Sequence, residues 1–189
     1  MRIVLLGAPG SGKGTQGKLL AQRFGVAHVA SGELLRAHVD AGDALGLEVA
    51  GHLERGDLVP DDLMLDVVCD AVTVACANGG YILDGFPRTR EQAERAYERA
   101  LPKGMTADHA VYLSLDDAIA RDRLSGRAEG RLDDASAAVI AHRLELFHDN
   151  MQSLLDYYGE RGILTVVDAG GAVDDVAVAL IAALASPAH

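Results

Sequence analysis

The chain has 189 residues, 49% of them apolar, which is enough for one domain with a sizeable core and too apolar for a disordered protein. A formal net charge of −11 argues against a nucleic-acid partner, which selects a basic face. No apolar run reaches the ~20 residues that span a bilayer, and the N-terminal apolar stretch is too short and interrupted for a secretory signal, so a cytoplasmic protein is expected.

Residues 2–6, Arg-Ile-Val-Leu-Leu, form a near-continuous apolar run that suits a strand buried on both faces. A helical pattern over residues 13–24 follows it. Residues 27–30 read as a very short strand, and residues 31–56 have helical spacing that predicts a small lobe on the sheet. A helix is expected over residues 60–77, with Pro60 in its first turn. Its apolar side is read as Leu63, Val67, Ala71 and Val74, and its polar side as Asp62, Asp66 and Asp70. Residues 81–83, 110–113 and 163–167 repeat the strand signal. The longest helix is predicted from about Asp133–Asp134, with a stripe of Ile140, Leu144, Phe147, Met151, Leu154 and Tyr158. A last apolar helix covers about 172–185. Strands alternating with helices imply an α/β fold with a parallel sheet covered on both faces. Residues 126–134 are polar and glycine-containing and read as an exposed loop. Cys69 and Cys76, seven apart on one helix, read as structural thiols, and no Cys/His cluster is spaced to complete a zinc site.

Directly between the first strand and the first helix stands Gly7-Ala-Pro-Gly-Ser-Gly-Lys13-Gly-Thr15. This matches the G-x-x-x-x-G-K phosphate loop through Gly7, Gly12 and Lys13. Glycines let several backbone N–H groups approach phosphate oxygens, the helix dipole adds positive potential, and the Lys13 ammonium neutralises terminal phosphates. Gly14 stands where Ser or Thr usually follows the lysine, and Thr15 comes one later. The bland alternative, a glycine-rich turn with an incidental lysine, does not account for the flanking strand and helix.

Residues 7–16 in this form resemble the phosphate loop of adenylate kinases. The resemblance continues through Ser31-Gly-Glu-Leu-Leu-Arg36, Gly56-Asp57-Leu58-Val59-Pro60, and Asp84-Gly85-Phe86-Pro87-Arg88-Thr89 followed by Gln92. It implies a P-loop NTPase-type three-layer fold with a five-stranded parallel sheet, divided into a core (1–29, 60–125 and 133–189), a nucleoside-monophosphate lobe (about 30–59) and a short lid (about 126–132). It further implies reversible, magnesium-dependent transfer of the terminal phosphoryl group from ATP to AMP, giving two ADP, by a monomer without zinc.

By the same resemblance, ATP is held by Gly10, Ser11, Gly12, Lys13, Gly14 and Thr15, by Arg123 and Arg127, and by the turn at Gly171. AMP is held by Ser31, Arg36, Asp57, Leu58, Val59, Gly85, Phe86, Pro87, Arg88, Gln92, Arg131 and Arg143. Lys13, Arg88, Arg123, Arg131 and Arg143 serve transfer, and Asp84 holds magnesium through water. The residue chemistry agrees: arginine forks onto phosphate, the Gln92 amide offers a donor and an acceptor to an adenine edge, and a carboxylate ending a buried strand needs a cation or donors. Alternatives stay beside these roles. The lesser alternatives have Arg36 and Gln92 as exposed helix residues, Ser31 as an N-cap, Asp84 as a cap of the following turn, and the arginine-rich stretch as a solvated loop. Asp168-Ala-Gly-Gly171 reads equally as an ordinary strand-to-helix turn. At the level of function, the alternatives are a kinase with a CMP, UMP or GMP acceptor, and an inactive nucleotide-binding regulator. The seven histidines, His28 and His142 included, are read as non-catalytic.

Overall fold

Five parallel strands lie in the order β2-β3-β1-β4-β5 in a computed structural model that describes residues 1–126 and 136–185. The strands are β1 (Arg2–Gly7), β2 (Ala27–Ala30), β3 (Tyr81–Asp84), β4 (His109–Ser114) and β5 (Leu164–Asp168). The helices are α1 (Lys13–Phe24), α2 (Ser31–Ala41), α3 (Ala44–Arg55), α4 (Asp61–Ala77), α5 (Arg90–Ala100), α6 (Asp117–Ser125), α7 (Ala137–Glu160) and α8 (Val173–Ala185). The expected α/β architecture, with a parallel sheet between two helical layers, is the one observed.

The strand alternation decides which layer each residue serves. Ile3 and Leu5 of β1 face α1 and α8 and join Leu20, Val176 and Leu180 in one core. Val4 and Leu6 point the other way, into a core built with α4 and α7 residues such as Leu65, Val68, Leu154 and Tyr158. β1 therefore buries both faces, as its unbroken apolar run requires. The exit from β1 leads to β2 on one side, whereas the exit from β3 leads to β4 on the other. Such a reversal opens a crevice at the carboxyl ends of the strands.

Two details of the α4 expectation need correction. The helix begins at Asp61, and Pro60, at φ −49° and ψ 136°, precedes it and offers its carbonyl to the Met64 N–H. The buried face is Met64, Leu65, Val68, Val72 and Ala75, while Val74 is 66% exposed. The stretch is apolar on more than one side, so periodicity alone does not select the face that meets the sheet. Asp62 and Asp66 instead pair with Arg95 and Arg99 of α5. Cys69 and Cys76 are both half-buried free thiols, and burial pushes the Cys76 thiol up.

α2 and α3 pack closely as a hairpin. At Gly46 a Cβ would lie 2.0 Å from the His38 carbonyl oxygen, so any side chain there would drive the helices apart. Asp43 caps α3 by accepting the Gly46 N–H at 2.8 Å and also meets His38 Nδ1 at 2.7 Å. The predicted start of α7 at Asp133–Asp134 falls outside the described residues. The described helix starts at Ala137, with the Ser136 hydroxyl accepting the Val139 N–H.

Candidate active site

A cleft of about 410 Å³ lies at the carboxyl ends of the strands. Its lining brings together Gly7, Gly10, Gly12, Lys13, Gly14 and Thr15 from the loop, Arg36 from α2, Asp84, Gly85, Pro87 and Arg88 after β3, and Arg143 from α7. Among the described residues, Lys13, Lys18, Arg36, Arg88 and Arg143 are its cations, against Glu33 and Asp84 as its acids. A chain of net charge −11 thus concentrates positive charge where its strands end.

The loop is shaped by glycine where side chains cannot go. Gly10 has φ +86°, and a Cβ there would sit 2.6 Å from the Ala120 carbonyl oxygen. Gly12 starts α1 at φ +88°, with no side-chain cap on the helix. Uncapped first-turn N–H groups form an anion cradle. Lys13 Nζ donates to the carbonyls of Gly7 at 2.8 Å and Ala8 at 2.9 Å, which holds the ammonium over the loop. Ser11 is 2% exposed, and its N–H donates to the Ala8 carbonyl.

Asp84 ends β3 at the cleft floor. Burial pushes its carboxyl up, but the neighbouring His28, Lys13 and Arg88 outweigh burial and hold it below the usual carboxylate range. His28 Nε2 lies 3.8 Å from Asp84 Oδ2, an electrostatic contact and too long for a hydrogen bond. That nitrogen is buried without a hydrogen-bond partner. His28 pairs in register with Ile82, two residues before Asp84, so both side chains face α1. There Gly17 makes room: a Cβ would fall 2.5 Å from His28 Nε2. The placement of His28 was not read from the sequence. The available signal was a histidine on the strand face opposite the Gly14 and Gly17 pair of α1.

On the other side of the cleft, Arg88 Nε donates to the Gly85 carbonyl at 2.9 Å. Gly85 has φ +81°, and a Cβ there would meet Ser31 Oγ at 2.6 Å. Ser31 is fully buried as the first residue of α2, where it does not cap the helix, and its hydroxyl has no hydrogen-bond partner. The N-cap alternative therefore fails. Phe86 is 1% exposed in the core and joins Pro87 through a cis peptide bond. Leu58 lines the cleft, Val59 beside it is buried, and Asp57 stands between α3 and α4. Gln92 is 2% exposed, which excludes the surface alternative. Its Oε1 accepts the Arg88 N–H at 2.8 Å and its Nε2 donates to Asp61 at 2.7 Å. Arg36 lines the cleft and folds over Gly32, so it is not a free surface residue.

Arg123 lies apart from the cleft lining. Its guanidinium donates to the carbonyls of Ala169 at 3.1 Å and Gly171 at 3.4 Å, so Arg123 and the Gly171 turn come together. Gln16 ties that turn to α1: its Nε2 donates to the Val173 carbonyl at 2.8 Å, although the side chain is 3% exposed. Sequence reading saw Gln16 only as part of the loop motif. Arg127 and Arg131 lie outside the described residues.

The residues fit a magnesium ion held through water. Asp84 and the Thr15 hydroxyl, which line the same cleft, offer hard oxygen atoms, and Asp84 is held ionised. Among the described residues, no group of three or more His, Cys, Asp or Glu could cage a metal, and magnesium needs none when phosphates and waters complete its shell. No helix among them is long and apolar enough to cross a membrane.

The family model described as Adenylate kinase matches residues 5–163. An Adenylate kinase of Stenotrophomonas maltophilia (strain R551-3) is 40% identical over 187 residues, covering 97% of this chain and 99% of that protein. Adenylate kinases of Parvibaculum lavamentivorans and Mycobacterium tuberculosis (strain ATCC 25177 / H37Ra) are each 39% identical. The first match covers 93% of this chain and 88% of that protein, and the second 97% and 99%.

Proposed function

The chain belongs to the adenylate kinase family, and on that premise we propose that it catalyses reversible, magnesium-dependent transfer of the terminal phosphoryl group of ATP to AMP, giving two ADP. One observation carries this reading: a single cleft is lined both by the phosphate loop and by Arg36, Arg88 and Arg143. A donor and an acceptor phosphate can thus meet in it.

The reaction is an in-line displacement. An oxygen of the AMP phosphate attacks the γ-phosphorus of ATP, and the bond to the β,γ-bridging oxygen breaks, leaving ADP. The attacking oxygen is already anionic, so no general base is required. Catalysis is positioning and charge neutralisation. The loop N–H groups at Gly10 and Gly12 and the first-turn N–H groups of Lys13 to Thr15 cradle the donor phosphates, with the Ser11 side chain beside them, and Lys13 follows the charge as it moves. Arg36, Arg88 and Arg143 orient the acceptor phosphate. Ser31, Leu58, Val59 and the Gly85–Pro87 segment enclose the acceptor nucleoside, with Asp57 in the same turn. Gln92 reads adenine with an amide that Asp61 and the Arg88 backbone hold in a fixed orientation. Arg123 and the Gly171 turn border the donor base. Arg127 and Arg131 complete the phosphate contacts from the lid. Magnesium, when bound near Asp84, supplies charge neutralisation on the β- and γ-phosphates.

The same reading divides the chain into a core (1–29, 60–125 and 133–189), an acceptor lobe (30–59) and a short lid (126–132). It has the enzyme working as a cytoplasmic monomer without zinc. A coupled assay of ATP with AMP, run beside CMP, UMP and GMP, tests it. AMP is expected to exceed the others by at least about tenfold in kcat/KM, as for a site that hydrogen-bonds its base. A better rate with another monophosphate would reassign the acceptor.

A further inference from the structure

His142 stands one residue before Arg143 on α7 and faces the turn that joins α3 to α4. Its Nε2 lies 2.9 Å from Asp57 Oδ1. The other oxygen of Asp57 accepts Arg55 Nε at 2.7 Å, and the Asp57 N–H donates to the His52 carbonyl at 2.9 Å. Arg55 first and His142 second hold the Asp57 carboxyl below its usual range. At neutral pH the carboxylate can only accept, so Nε2 of His142 is the donor.

The turn is fixed from both sides. Val59 anchors it in the main core, where it is 6% exposed. Gly56 presses on α7 at φ +74°: a Cβ there would fall 2.8 Å from Arg143 Cγ and 3.0 Å from Val139 Cγ1. Gly56, Leu58 and Arg143 all line the cleft. The contact between His142 and Asp57 therefore joins two parts of one wall that are 85 residues apart in the chain.

We propose that His142 is a positioning residue for the acceptor nucleotide: through Asp57 it fixes the turn at residues 56–59 against the segment of α7 that carries Arg143. This rests on the functional reading above, which places AMP between that turn and the arginines. Nothing in it requires His142 to touch substrate. The histidine acts through the turn and the segment of α7 that carries Arg143, not through the phosphate loop. A histidine that only stabilised the fold would not discriminate between the two nucleotides.

Steady-state kinetics of the full chain, with ATP and AMP varied separately, test this on His142→Ala, His142→Gln, Asp57→Ala and the double variant His142→Ala/Asp57→Ala. His142→Ala is expected to raise KM for AMP about three- to fivefold, the scale of a half-exposed charged contact. KM for ATP and kcat should stay within about twofold, the signature of lost uniform binding at one site. His142→Gln, whose terminal amide reaches the same place with a donor, should restore KM for AMP. Asp57→Ala, which also removes a residue assigned to the acceptor site and the partner of Arg55, should raise KM for AMP at least as much, and adding His142→Ala to it should raise KM no further. An unchanged KM for AMP in His142→Ala, an equal rise in both KM values, or no rescue by glutamine would each overturn the proposal. A wild-type chain that does not phosphorylate AMP is a distinct result, read before any variant is compared. It overturns the functional reading and this proposal with it.

Discussion

Two cations of the cleft, Lys13 and Arg88, have side chains tied to backbone carbonyls, Lys13 to Gly7 and Ala8 and Arg88 to Gly85. These tethers are local, within six residues of the cation, and aim the charge into the cleft. Removing either charge should therefore cost chemistry and spare structure. Lys13→Met and Arg88→Ala are each expected to lower turnover by at least about tenfold, the loss of roughly 1.4 kcal/mol of transition-state stabilisation, with the far-UV circular dichroism unchanged. Near wild-type turnover in either variant would contradict their placement in the reaction. Residues of this kind were legible because their chemistry and their place in a motif coincide. His28 was not, because its meaning lies in a cross-strand relation to Asp84 and in the space left by Gly17, neither of which is a pattern along the chain. Ser31 left a cap open as an alternative to its place in the acceptor site, and the structure removes that alternative. A serine before Leu-Leu looks like a cap, yet the helix begins one residue earlier than a cap would need, and its buried hydroxyl faces Gly85.

Among the elements, β1 carries the phosphate loop, so whatever fixes β1 fixes the loop. Its first residue is clamped to the segment before β4: the Arg2 N–H donates to Asp108 Oδ2 at 2.8 Å, and the Arg2 guanidinium bridges Asp108 and the Gly104 carbonyl. Partial burial pushes the Asp108 carboxyl up, but Arg2 more than offsets this and holds it below the usual range. A depressed folded value means that the clamp stabilises fully above the unfolded carboxylate value, near pH 4, and is lost as pH falls through the folded value. The pair is about one-third exposed, so solvent screening limits it to about 1 kcal/mol. Asp108→Asn is expected to lower Tm by about 2–4 °C near pH 7, with the gap to wild type closing in acid. A gap that stays constant down to about pH 2.5 would show that the carboxylate charge is not what stabilises. Strand elements were the most legible: the run at residues 27–30 is β2 to the residue, and the others differ by one or two positions. α4 was the least, because a helix apolar on more than one side does not declare which face the sheet takes, and Val74 was assigned inward although it is exposed. The aspartates of that helix read as its polar side, and the partners of Asp62 and Asp66, two α5 arginines, were not legible because they depend on the packing of two helices.

Across the whole molecule, the sheet order makes one cleft out of segments that the chain separates widely, from Gly7 to Met151. The list of those segments was legible, because each carries its own motif. Their relative placement was not, since it follows from which strands become neighbours and from contacts such as Gln16 to Val173 and His142 to Asp57. The reading of a two-site cleft has a thermodynamic consequence that neither site alone would produce. A ligand that binds only the folded chain raises Tm in proportion to the logarithm of its concentration over Kd. Two adenosines joined by a chain of phosphates would occupy the donor and acceptor walls as one molecule, so the second wall is engaged at high effective concentration. At equal concentration this analogue is expected to raise Tm well beyond ATP or AMP, and beyond the two added together as separate molecules. Lys13→Met weakens the proposed donor contacts and Arg88→Ala the proposed acceptor contacts, so each should reduce the shift toward that of a single nucleotide. Differential scanning fluorimetry of the wild type and both variants makes the comparison. An analogue that stabilises the wild type no more than ATP does would mean that the two walls do not serve one bridged ligand, and the arginines opposite the loop would then need another role.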